Sequence, residues 1–249
     1  AALARVAAAD PDIEVRREAM FALGRVGGDD AVPALLGIVR DRHPNLLVSA
    51  VLALGEARPA SAAAVDLLAT FLADDRGELQ WAAAVALARV RTHSPRSLTA
   101  LRAALRHSNR EIRHFVTLAL AAAGPAAADA ADLLAERLET EPNSARLTYA
   151  YALGRVAPRR AAEATRTLLE CAADSSPTVR ADAVARLAEL APDAVTPDCV
   201  TRLADALLDP ATVGKEWAAT VLGMLGPRAA AARVAVREDQ RRHGGRHRN

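Results

Sequence analysis

The chain has 249 residues, of which 51% are hydrophobic and only 3% aromatic, and a formal net charge of +2. It is long enough for a substantial core in one or two domains, and its near-neutral balance names no partner. Two cysteines, Cys171 and Cys199, exclude a disulfide framework and predict a reducing cytoplasm, while neither a signal peptide nor a membrane-spanning run is read in the sequence.

Alanine is the commonest residue and β-branched runs are scarce, so an all-α chain is expected. Ala1–Ala9 is already helix-like and reads as the second helix of a repeat whose first half is missing. That predicts a chain cut from a longer protein or processed. From there a leucine recurs as Leu23, Leu54, Leu87, Leu120, Leu153, Leu187 and Leu222, each followed by Gly or Ala. Spacing in this range predicts stacked supersecondary units.

Taking the small residue after each leucine as position zero, apolar residues also stand nine and five before it and two after. The first unit has Val15, Ala19 and Val26, and the third has Leu79, Ala83 and Val90. These offsets share one helical face and define helix A. Small residues at zero and five before it predict close approach between neighbouring A helices. Four residues past zero, proline recurs as Pro59, Pro125, Pro158, Pro192 and Pro227, marking the turn out of helix A. Helix B follows, with a second leucine row at Leu35, Leu68, Leu101, Leu134, Leu168 and Leu203. The units are predicted at 10–40, 41–73, 74–106, 107–139, 140–173, 174–208 and 209–243, after a half-repeat at 1–9. They form a single solenoid over 1–243, with a basic tail at 244–249. From Arg228 onward seven Arg face only Glu238 and Asp239, so the basic excess lies in the last helix and tail and the rest is faintly acidic.

Asp10-Pro11-Asp12-Ile13-Glu14-Val15-Arg16, followed by Ala19, Ala22-Leu23-Gly24 and Val26-Gly27, resembles the bacterial HEAT-like repeats of the phycobilin-lyase type. Asp174 to Leu190, with Val179-Arg180 and Ala183, looks like the same unit, and the resemblance covers nearly the whole chain. It implies a right-handed α-solenoid of stacked antiparallel helix pairs, with A helices convex and B helices concave. Such repeats serve lyases, regulators and adaptors alike, so the resemblance fixes no activity.

Eight residues before zero stand Arg16, Leu47, Gln80, Arg113, Arg146, Arg180 and Lys215. This mostly basic column is expected to be a structural ladder, pairing with the turn acids Asp10, Asp41, Asp74, Asp174 and Asp209 rather than with phosphates. An acid or Ser in the inter-repeat turns Asp10-Pro11-Asp12, Asp41-Arg42-His43-Pro44, Glu141-Pro142-Asn143 and Asp174-Ser175-Ser176-Pro177 is expected to cap the next helix A. Recognition is expected on helix B, where Asp132, Glu136, Arg166, Glu170, Arg202 and Asp205 make the later half of the face charged and slightly acidic. Such a face suits a basic or mixed protein segment better than nucleic acid.

Phe21, Trp81, Phe115, Tyr149, Tyr151 and Trp217 fall on A helices and only Phe71 on a B helix. A stacking platform like that of HEAT-like alkylpurine DNA glycosylases is therefore not expected. His107 and His114 are two helical turns apart but find no completing ligand set. The function expected is a non-catalytic protein-binding scaffold, with no cofactor, metal or membrane partner. The alternatives are the HEAT arm of a larger enzyme or NTPase, in which the partner is another part of a longer chain, and a nucleic-acid-binding protein, which is disfavoured.

Overall fold

The computed structural model describes residues 2–28, 30–58, 61–208, 215–227 and 229–230. Among these, every regular element is helical: α1 (Ala2–Ala9), α2 (Ile13–Val26), α3 (Ala31–Asp41), α4 (Leu47–Glu56), α5 (Ala62–Phe71), α6 (Gly77–Arg89), α7 (Pro95–Ala104) and α8 (Arg110–Ala123). They continue as α9 (Ala131–Thr140), α10 (Asn143–Val156), α11 (Ala161–Ala172), α12 (Pro177–Leu190), α13 (Pro197–Leu208) and α14 (Lys215–Leu225). Two compact units result, Ala1–Leu133 and Leu134–Asn249.

In the first unit the A helices α2, α4, α6 and α8 stack in sequence, and α3, α5 and α7 fold back against them as B helices. In the second, α10, α12 and α14 form the A row, with α11 and α13 packed beside it. Both leucine rows are core except at Leu222, which is half-buried. Leu23, Leu54, Leu87, Leu120, Leu153 and Leu187 are at most 5% exposed, and Leu35, Leu68, Leu101, Leu134 and Leu168 are fully buried. Leu203 lies outside the residues whose side chains are described. Burying such side chains stabilises by about 1.5–3 kcal/mol each, so the repeated rows are the main source of cohesion.

The small residue at position zero sets the spacing between A helices. A Cβ built on Gly24 would lie 2.5 Å from the carbonyl oxygen of Ala53, and one on Gly55 would lie 2.5 Å from Cα and Cβ of Ala86. Backbone meets backbone here, and only glycine fits.

Three expectations are corrected. Val15 and Val26 belong to columns that are mostly buried in later units, yet they are 42% and 73% exposed on α2. The A helix that covers these columns elsewhere has no counterpart before α2 among the described residues. The Arg column does form a ladder, but its partners are main-chain carbonyls rather than the turn carboxylates. Arg16 donates to Ala7 O at 3.1 Å, Arg113 to His107 O and Ser108 O at 2.9 and 2.8 Å, and Arg180 to Asp174 O and Ser175 O, both at 2.8 Å. Carbonyls at a helix C-terminus and in the following turn have no intrahelical donor, and a guanidinium satisfies them.

The turn acids, finally, fold over their own turns. Carboxylates of Asp10, Asp74 and Asp174 accept from the backbone N–H two residues on, at 2.7–3.0 Å. Asp12, in the same turn as Asp10, does cap α2 as expected, and Asn109 caps α8. The Asp41 carboxylate accepts no hydrogen bond among the described residues, and Asp209 lies outside them, as do Pro59 and the tail.

Proline four past zero opens a 3-10 turn, as at Gly124–Ala130, Pro158–Arg160 and Pro192–Ala194. The first of these is long and carries Ala127 at φ −98° and ψ 20°, off the helical values. It interrupts the stretch Arg110–Thr140, which by length and composition is long and apolar enough to cross a membrane, against the expectation of no such run. Its apolar residues Ile112, Val116, Ala119 and Leu120 are core on α8, which packs against α6.

Candidate functional site

In the second unit a recess of about 410 Å³ opens between α9, the start of α10, and α11. Helical spacing on α11 brings Glu163, Arg166, Thr167 and Glu170 onto its wall, while α9 and the following turn supply Ala135, Leu138, Glu139 and Glu141. Asn143 and Arg146 close the end. The lining thus holds four carboxylates against two guanidiniums, an acidic but mixed surface.

The site is rigid at its closed end. Arg146 donates Nε to Leu138 O and Nη1 to Asn143 Oδ1, both at 2.8 Å, and Nη2 to Glu170 Oε2 at 2.9 Å. Asn143 in turn donates Nδ2 to Asp174 Oδ2 at 2.7 Å. The Ser176 backbone N–H and this Asn143 amide hold the Asp174 carboxyl below the usual carboxylate range. Beneath the network, burial pushes the Cys171 thiol up to about 11, with Arg146 opposing. Its Sγ donates weakly to Asn143 O at 3.8 Å, so it is a protonated packing group rather than a nucleophile. At the open side Arg160 clamps Glu163 through two bonds of 2.8 and 3.1 Å, and Arg137 lies 3.6 Å from Glu141. The carboxylates of Glu136 and Glu139 and the guanidinium of Arg166 have no ion pair within the described residues, and all three are exposed.

Of the residues expected from sequence, the structure brings Arg166 and Glu170 into this recess and places Glu136 on α9, one residue from its wall. Glu170 is not free, since Arg146 holds it. Asp132 starts α9 and is not part of the lining. Arg202 on α13 is taken up by Asp198 at 2.7 Å, and the side chain of Asp205 lies outside those described. Sequence reasoning missed Glu139, Glu141, Asn143 and Glu163. They come from the end of α9, the turn after it and the starts of α10 and α11, outside the exposed columns that were aligned. The one available signal was Arg146, which belongs to the ladder and yet reaches a helix B carboxylate.

The other candidates resolve into packing. Trp81 on α6 meets Phe115 on α8 edge to face at 6.3 Å, and Arg186 on α12 lies 4.5 Å over the ring of Tyr151 on α10. These aromatics join successive A helices. His107 is held by Gln80 Oε1 at 3.1 Å and accepts from the Asn109 backbone N–H at 2.9 Å, a turn-closing role. Cys171 and Cys199 are both free and buried.

Residues 1–88 and 65–154 match HEAT repeats. Among curated proteins, no sequence matches this chain. Among solved structures it is similar to the complex of CpcE and CpcF of phycocyanin lyase from Nostoc sp. PCC7120. That match has 21% identity over 89% of this chain and 92% of that one, with a TM-score of 0.62. Two engineered proteins are also similar. One is 18% identical with a TM-score of 0.54, covering 78% of this chain and 98% of its own, and the other 19% identical with a TM-score of 0.50, covering 94% and 70%. At these identities the likeness carries the fold and not the chemistry. With matched repeats over more than half its length and two leucine rows buried in stacked helix pairs, the chain belongs to the HEAT-repeat family.

Proposed function

We propose that this chain is a non-catalytic interaction scaffold that holds a segment of a protein partner in the recess between α9 and α11. The reading also takes residues 1–243 as one solenoid and the compartment as cytoplasmic, supported by the unbonded thiols of Cys171 and Cys199. One observation carries it: a mixed-charge recess whose Glu139 and Arg166 have no ion pair within the described residues. Charges already paired inside the protein gain little from a partner, whereas exposed unpaired ones steer association and select register. A segment fits best with a Lys or Arg facing Glu139 and a carboxylate facing Arg166, its apolar side chains lying on Ala135 and Leu138.

The test is selection from a random peptide library on the wild type and on a Glu139→Lys/Arg166→Glu double variant, with helix content checked by circular dichroism. The wild type is expected to enrich peptides pairing a basic with an acidic residue, and the double variant to lose them while keeping its helicity. Identical enrichment on both proteins, or none on either, removes the recess as the binding site.

A further inference from the structure

The first unit contains a second recess of different character, about 380 Å³, between α7 and the 3-10 segment Gly124–Ala130. One face of α7 forms a wall through Pro95, Leu98, Thr99 and Arg102, at helical spacings of three, four and seven. Leu120 of α8 lies at the floor. Across from α7 the wall is built from Ala126, Ala127 and Ala130, with Asp129 beside them. Non-helical winding at Ala127 combines with three one-carbon side chains, and together they leave the space open. No side chain of the described residues fills it.

Its polar complement is sparse and specific. His93, in the turn before α7, lines the recess, and neither of its ring nitrogens makes a well-formed hydrogen bond although both are shielded from solvent. Burial lowers the His93 pKa, with the nearby Val90 backbone opposing, so the ring is neutral and offers one donor and one acceptor. A buried polar atom without a partner is costly and calls for one. Thr99 Oγ1 is already used as a donor to Pro95 O at 3.0 Å. Arg102 and Asp129 have no ion pair within the described residues.

A recess of this volume, part apolar and with a few convergent polar groups, has the character of a small-molecule site. Arg102 and Asp129 are exposed and of opposite sign, so a charged ligand would meet one water-screened attraction and one repulsion, while the neutral imidazole offers it no counter-charge. A saturated hydrocarbon would leave His93 unpaired. The guanidinium of Arg102 can stack on a ring face.

We propose that this recess binds a small uncharged aromatic group with a hydrogen-bonding edge, of the phenol or indole type, with His93 as its hydrogen-bond partner. The site stands independently of the α9–α11 reading.

The experiment uses the full chain with p-cresol, toluene and benzoate as probes, read by saturation-transfer NMR and by the ¹⁵N signals of the His93 ring. Binding of p-cresol with a shift of the His93 signals is expected, with toluene roughly tenfold weaker, as one lost hydrogen bond dictates, and no binding of benzoate. Ala126→Leu, at an exposed position that tolerates the larger side chain, is expected to block p-cresol without changing the melting temperature. His93→Phe is expected to bind toluene and p-cresol alike. The proposal is overturned if the wild type binds none of the probes, or prefers benzoate or toluene to p-cresol. It is equally overturned if p-cresol binds Ala126→Leu as it binds the wild type, or leaves the His93 signals unmoved.

Discussion

Replacing Gly55 by alanine tests the close packing of the A row. In an ordinary helix interior this change gains about 1 kcal/mol, because alanine has less backbone freedom to lose. At Gly55 the new Cβ would lie 2.5 Å from both Cα and Cβ of Ala86 and 3.1 Å from its carbonyl carbon. Ala86 is fully buried, and main-chain atoms cannot swing aside as a flexible side-chain tip would. Helices α4 and α6 must therefore separate and loosen the contacts along their shared face. Overpacking a filled core costs about 1–3 kcal/mol, and a backbone overlap belongs at the upper end. Subtracting the helix gain leaves a net loss of about 2 kcal/mol, which lowers the melting temperature of a chain this size by about 4–8 °C. The internal control is Gly37 on α3, which is exposed and has nothing within 4 Å of a built Cβ. Gly37→Ala should raise the melting temperature by about 2–4 °C. Thermal melts followed by circular dichroism measure both, and amide exchange localises the loss to α4 and α6. A Gly55→Ala protein that melts at or above the wild type refutes the close approach of these helices.

Three further outcomes follow from the same structure. Arg113→Ala removes two charge-assisted hydrogen bonds to the carbonyls of His107 and Ser108 and should destabilise by about 1.5–3 kcal/mol in urea unfolding, whereas Asp10→Asn should cost far less. Val26 and Val90 share a column, but Val26 is 73% exposed and Val90 1%, so Val→Ser at Val90 should lower the melting temperature and at Val26 leave it nearly unchanged. Hydrogen bonding from the Arg76 guanidinium holds the Asp74 carboxyl well below the usual carboxylate range, its contacts being 2.9 and 3.0 Å. The folded pKa is thus depressed, so the stability it contributes is full above about pH 4 and lost as pH falls below that. Asp74→Asn should flatten the acid limb of a stability–pH curve and lower the plateau at neutral pH.

The scaffold was legible because its information is periodic. Leu23, Leu54 and Leu87 announce one row, Leu35, Leu68 and Leu101 the other, and Gly24 and Gly55 mark where helices touch. What lay between columns was not legible. Main-chain carbonyls have no letter in a sequence, so Arg113 and Arg180 were assigned to aspartates and not to the helix ends and turns they bond. The recess wall combines Glu139 and Glu141, from the end of α9 and the turn after it, with Glu163 and Arg166 of the next B helix. Only stacking brings those segments together. Arg166 and Glu170 were found because they occupy exposed B columns. Glu139 was missed because the columns stopped before the turn. The recess beside α7 depends on 3-10 winding at Ala127, and a run of alanines and a proline gives no period from which to read that.

The central claim, that the α9–α11 recess is where a protein segment is held, is tested most directly by mapping amide hydrogen exchange with and without a library-selected peptide. Slowed exchange should be confined to the end of α9, the turn to Asn143 and the stretch Glu163–Glu170 of α11. Protection that falls instead on the A helices α10 and α12, with the recess unchanged, would contradict it.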